Sequence, residues 1–362
     1  MNGQTPGAGR VTIGGAPEGF DAELVLREAA RADGPVIHVA RDDRRMAAMR
    51  AALAFFDPAM PVLSFPAWDC LPYDRVSPNP DISAARMATL AALVHGAPRR
   101  FVLLTTLNAV TQFLPARAVL AEAAFVADVG RRIDEAELRA FLARMGFSHA
   151  PTVTEPGDYA VRGGIIDIYP PGEGGPVRLD LFGDTLDGAR RFDPASQRTT
   201  DSLQRVELAP VSEVILDEPS IRRFRQNYRI AFGGGGTDDP LYESVSAGRK
   251  PQGAEHWLPL FHERLETLFD YLPGAPVCLD DQVPAAHRAR WEGIADQYDA
   301  RREAMGQKGR FDTVYKPVPP GELYLDEAAL ERALADRRVA RFHPLPQPSG
   351  PGVTDAGGRI GR

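Results

Sequence analysis

"VTIGGAPEGFDAELVLREAA" spans Val11–Ala30, and its reading sets the expectation for the whole chain. A short apolar run enters a glycine-bearing turn and an amphipathic stretch leaves it, which predicts a strand, a loop and a helix. That is the outline of a phosphate-cradling unit, in which glycines let backbone N–H groups converge on phosphate oxygens. Gly14, Gly15 and Gly19 are in place, but Phe20 and Asp21 stand where Lys and Ser/Thr belong. Glu18 and Asp21 would repel phosphate by an energy on the order of a few kcal/mol in a partly buried site. None of the lysines, Lys250, Lys308 and Lys316, follows a glycine, so no intact phosphate loop is expected elsewhere. The loop reads as degenerate and non-functional.

Working outward, "GPVIHVA" (Gly34–Ala40) and "RRFVLLTTLNAV" (Arg100–Val110) are β-rich runs separated by helical stretches. That alternation predicts a parallel α/β layer. The intervening "FPAWDCLPYDRVSPNPDISAARMATLAALV" is a proline-broken loop leading into a helix, with Asp81 and Ser83 as capping residues. Near residue 125 the texture changes. "IDEAELRAFLARMGF" (Ile133–Phe147) has helical spacing, and from Asp158 a period-two pattern punctuated by Gly and Pro predicts an antiparallel meander of about four strands. Helical patterning returns from Ser220, interrupted by the flexible Gly233–Gly236. "APVCLDD" then reads as a buried strand completing the first layer. The helix Val283–Met305 places Trp291, Ile294 and Tyr298 on one face. Its arginines alternate with acids, which marks a solvated helix and not a nucleic-acid stripe.

The expected organisation is an α/β domain split around a small inserted α+β domain. Residues 1–125 form its first part, 126–211 the insertion, 212–343 the second part and 344–362 a Pro/Gly-rich linker. A linker with nothing after it suggests a piece of a longer protein.

Several classes of function are excluded by composition and spacing. A formal net charge of −7 does not suit a chain built as a whole to coat nucleic acid, and leaves room only for local basic patches. Cys70 and Cys278 are the two cysteines and lack metal-binding spacing. No apolar leader or run long enough for a membrane span occurs, so the chain reads as cytoplasmic. His256 and His262, six residues apart, do not share a helical face, and Ser148–His149 lacks a nucleophile elbow. Asp167, Asp180, Asp184 and Asp187 suit turns and strand edges better than acid–base chemistry. No catalytic residue, metal or cofactor is expected.

The informative segment is "PVRLDLFGD". Alternation puts Val177, Leu179 and Leu181 on one face, with Arg178, Asp180 and Phe182 on the other. An aromatic beside an arginine is a pairing enriched in protein–protein hot spots; the residues alone also allow a surface Phe shielded by its neighbours. Arg162 in "YAVRGG" lies next to two glycines that would let a partner approach.

Together, "FPAWDCLPYDRVSPNPDISAARMATLAAL", "GDYAVRGGIIDIYPPG", "VRLDLFGDTLDGARRFDPASQRT" and "GAEHWLPLFHERLETLFDYLP" resemble the N-terminal region of the bacterial transcription-repair coupling factors. More weakly they resemble the homologous excinuclease B subunit. The resemblance implies a degenerate helicase-like, split parallel-sheet domain whose insertion binds the excinuclease A subunit (UvrA). It implies contacts through Arg162, Arg178 and Phe182, and a face masked by C-terminal domains in a full-length protein. The excinuclease B subunit has a working phosphate loop and a long aromatic hairpin after its "LPYY"-type segment; "LPYDRVSPNPDISAAR" has no room for that hairpin. The polymerase-binding module and translocase motor of a full coupling factor are missing, so contact with RNA polymerase is expected only in a longer protein. The alternative reading is a degenerate helicase domain that clamps the DNA backbone.

Overall fold

Seven strands, every neighbouring pair parallel, make the frame. The computed structural model describes residues 9–172, 174–233, 239–306 and 315–357. Across the sheet the strands run Val353–Asp355, Gly9–Gly14, Arg338–Phe342, Val277–Asp280, Val36–Ala40, Val102–Thr106 and Val62–Phe65. Two strands from the last third of the chain thus separate the first strand from the second. Val36–Ala40, Val102–Thr106 and Val277–Asp280 are buried at every position, as central parallel strands covered on both faces must be. The "APVCLDD" strand completes the first layer, as its apolar run predicts.

The helix after the proline-broken loop is Pro80–His95, and its cap lies earlier than the sequence suggests. The Asn79 side chain accepts from the Asp81 N–H, while Asp81 sits in the first turn. Pro80 explains the shift, because it needs no N–H partner at the first helical position and fixes φ for the helix.

A second, six-stranded sheet carries the meander. Its order is Thr199–Leu203, Thr185–Phe192, Val177–Phe182, Ile165–Ile168, Asp158–Arg162 and Ser148–His149. All its pairings are antiparallel except the last. A separate ribbon pairs Phe125–Asp128 with Arg205–Leu208, so the chain enters and leaves the insertion side by side. The whole is a mixed α/β protein with a large parallel sheet and a small antiparallel sheet, consistent with a split helicase-like domain carrying an insertion. One apolar cluster is shared, running from Ile37 and Leu103 to Leu179 and Leu186. A second gathers Phe224, Tyr228, Trp257 and Ile294, with Trp291 and Tyr298 of the helix Val283–Gly306 packed against it.

Just beyond the ribbon, Glu213 is pinned. Its Oε1 accepts from Arg86 Nε at 2.5 Å and from Trp68 Nε1 at 3.1 Å. Arg86 is fully buried, lies 4.3 Å from the Phe65 ring centroid, and donates to Pro66 O at 2.7 Å and Gln112 Oε1 at 2.8 Å.

The stretch from residue 344, read from sequence as a flexible linker, behaves differently in its described part. Val353–Asp355 adds a parallel edge strand to Gly9–Gly14, flanked by Thr12 N–H to Gly352 O at 2.7 Å and Ala356 N–H to Gly14 O at 2.8 Å. A short edge strand needs few backbone bonds and tolerates Pro, Gly and polar neighbours, which is why composition conceals it. Of the predicted flexible run Gly233–Gly236, the residues after Gly233 lie outside the described ones, as does Lys308. Among the described residues no helix is long and apolar enough to cross a membrane.

Candidate interaction face and the opening loop

The opening strand–turn–helix is covered by a later segment of the chain. Gly15 and Gly19 adopt φ of 64° and 96°, the left-handed region that favours glycine. Three N–H groups of the loop are taken: Gly15 donates to Leu345 O at 3.0 Å, Ala16 to His343 O at 2.9 Å and Gly19 to Asp21 Oδ1 at 2.9 Å. A Cβ on Gly14 would lie 2.7 Å from the backbone nitrogen of Gln347, so chain 343–347 fits closely over the turn.

Behind the loop, Arg45 is 2% exposed, paired with Asp21 and 3.6 Å from Asp280 Oδ2. Burial pushes the Asp21 carboxyl above its usual value against the pull of Arg45. For Asp280 burial acts the same way, but its contacts with His38 and Arg45 outweigh it and hold the carboxyl low. Glu18 is taken up by Arg41 at 3.0 Å. The carboxylates that sequence marks as hostile to phosphate are therefore held by two arginines.

The meander uses similar groups in the open. Strand register sets Arg178 opposite Asp167, and Arg162 opposite Ile165. Arg178 Nε and Nη2 reach the two oxygens of Asp167 at 2.6 and 2.9 Å, a bidentate fork; Arg162 Nη2 adds a third contact at 3.3 Å. Asp167 is 1% exposed, whereas the side chains of Arg178 and Arg162 keep 18% and 50% of their surface. The bond to Asp167 raises the Arg178 pKa above its ordinary value, and its guanidinium also lies 4.8 Å from the Phe192 ring centroid. The pairing keeps Arg178 charged and fixed in direction.

Phe182, at the end of the same strand, is 83% exposed. The alternation read from sequence holds around it: Val177 and Leu179 are buried and Leu181 packs against the core from the same side. A register shift between Asp180 and Leu181 bends the strand just before Phe182. Gly164 is required at the adjoining turn, since a Cβ there would lie 2.6 Å from Leu181 O. Ile165, also exposed, stands opposite Asp180 and next to this tip.

The fold thus brings Arg162, Arg178 and Phe182 to one outer face, far along the chain from Gly14, Gly15 and Gly19. Asp167, the residue that organises both arginines, escaped the sequence reading as one aspartate in a dense group. The signal was its place between Ile166 and Ile168, which puts it on the face opposite the core. His256 and His262 are both buried but serve different neighbours. His256 stands edge-on to Trp68, and His262 Nε2 bonds to Glu213 O at 3.0 Å. Among the described residues no group of His, Cys, Asp and Glu could hold a metal ion.

Comparison with known proteins gives this face its context. Residues 126–213 match the family model of the UvrB interaction domain. The chain is 33% identical over 305 residues to the transcription-repair-coupling factor of Escherichia coli, covering 84% of this chain and 26% of that protein. It is 36% identical over 338 residues to that of Myxococcus xanthus, covering 87% and 27%. With that of Haemophilus influenzae it shares 30% over 324 residues, covering 89% and 27%. The molecule is thus an α/β frame carrying a UvrB interaction domain. Its sequence corresponds to an N-terminal region of the transcription-repair-coupling factors. It spans about a quarter of the length of the curated relatives it matches.

Proposed function

We propose that this chain is a non-catalytic recruitment module of transcription-coupled nucleotide excision repair. It binds the excinuclease A subunit through the outer face of the meander and, within a longer protein, brings it to stalled RNA polymerase. The observation that carries this reading is Phe182, 83% exposed at the end of a strand whose Arg178 is locked by Asp167. A large exposed aromatic beside preorganised cations costs little conformational entropy to dock. In this role Phe182 fills an apolar pocket, while Arg162 and Arg178 offer their free donors to acidic groups on the partner.

The occupied N–H groups of Gly15, Ala16 and Gly19 support the non-catalytic half of the proposal, since these three donors are already spent within the chain. No cofactor enters the role.

Titrating the purified chain against the excinuclease A subunit tests the assignment. Phe182→Ala and Arg178→Ala should each weaken binding by about 30-fold or more, the equivalent of ~2 kcal/mol. If both variants keep the parent affinity, the face is misassigned.

A further inference from the structure

The helix Glu218–Phe232 presents a row of arginines to solvent. Phe224 and Tyr228 face the core, while Arg222, Arg225 and Arg229 are exposed. Spacings of three and four residues put the three on one ridge, about 10 Å long at 1.5 Å per residue. The acid of its first turn is Glu218. Arg222 has no partner among the described residues. Arg225 and Arg229 converge on a neutral ring: Arg225 Nε donates to the Tyr242 hydroxyl at 3.4 Å, and the Arg229 guanidinium is 5.5 Å from the ring centroid. Burial would raise the Tyr242 pKa, yet these arginines hold it below the usual phenol value. Gly248, whose Cβ would lie 3.9 Å from Ile221, brings the exposed Arg249 to the same helix.

We propose that this ridge binds the phosphate backbone of double-stranded nucleic acid without reading its sequence. Duplex DNA carries a phosphate charge for roughly every 1.7 Å of its axis, so a ridge of this length faces several. Single strands are held by rings that stack on bases, and Tyr242 is buried beneath the arginines and cannot offer one. A protein partner would be anchored by an exposed aromatic; the large apolar group exposed on this helix is Ile230, 75% exposed. The net charge of −7 opposes approach only from afar, because beyond about 8 Å salt screens it and the local ridge governs. The ridge lies on the frame, apart from the Phe182 face, and its role does not depend on that face.

Fluorescence anisotropy of a labelled DNA duplex of arbitrary sequence, about 20 base pairs long, titrated with the whole chain tests this. Between roughly 50 and 200 mM salt the affinity should fall about 40-fold, a log–log slope of about −2.7 for three phosphates. Arg222→Ala should reduce the slope by about 0.9 with unchanged thermal unfolding, since Arg222 makes no hydrogen bond or ion pair among the described residues. The triple Ala variant of Arg222, Arg225 and Arg229 should flatten it, while Arg178→Ala should bind the duplex like the parent. Absent duplex binding overturns the proposal, as does a slope that survives in both Arg222→Ala and the triple variant. Displacement of the labelled duplex by polyglutamate at lower concentration than by unlabelled duplex would also overturn it, reassigning the ridge to an acidic protein.

Discussion

Two arginines of the α/β frame, Arg45 and Arg86, and two of the inserted meander, Arg162 and Arg178, are used in opposite ways. In the frame, Arg45 and Arg86 are almost wholly buried and their charges are absorbed by Asp21, Asp280 and Glu213. In the meander, Arg162 and Arg178 share one buried carboxylate, Asp167, and keep surface free for a partner. The pairing chemistry is the same and the exposure differs. A buried pair serves the fold, because removing one member strands the other in a low dielectric. A half-buried arginine held from behind is preorganised for binding, since its direction is fixed before the partner arrives.

The largest expected effect breaks the frame side of this contrast. Arg45→Ala leaves Asp21 and Asp280 without their shared cation and should lower stability by about 3–5 kcal/mol. Urea unfolding measures it, and a loss below about 1 kcal/mol would mean the covered loop is not held by this cluster.

Next comes a pH effect on the same side. Burial pushes the His256 imidazole down to about 4, against about 6.5 when unfolded. The unfolded chain therefore binds more protons between these values. This contribution to stability is complete above pH ~6.5 and shrinks as pH falls towards 4, by at most about 3 kcal/mol. Burial lowers His262 as well, with the same sign. Unfolding curves at several pH values, compared between the parent and His256→Gln, isolate the effect; identical pH slopes would remove His256 from the account.

The smallest effect sharpens the meander side. Asp167→Asn should weaken binding to the excinuclease A subunit about tenfold, ~1.4 kcal/mol, by loosening both arginines. Its loss should add only in part to that of Arg178→Ala in a double-mutant cycle, the remainder acting through Arg162. Full additivity would show that Asp167 does not act through Arg178.

Much of this contrast was legible in one dimension. Period-two alternation in "PVRLDLFGD" put Arg178 and Phe182 on the outer face, and the structure keeps them there. The missing lysine after Gly19 was equally plain. What sequence could not supply was partnership across distance. Arg86 meets Glu213 across the junction of frame and insertion, and Arg45 meets Asp280 from the far third of the chain. Neither pairing leaves a local pattern.

The sequence by itself determined most of the central strands and the main helices, the parallel and antiparallel character of the two sheets, and the face on which Phe182 emerges. These follow from periodicity, which is a local property of the backbone. Only the tertiary structure decided that residues 343–347 close over Gly14 and Gly15, that Val353–Asp355 is a strand and not part of a linker, and that Asp167 is the hinge of the arginine pair. Each of those depends on which groups meet after the chain has folded back, and the hydrogen bonds that hold them carry no signature in composition.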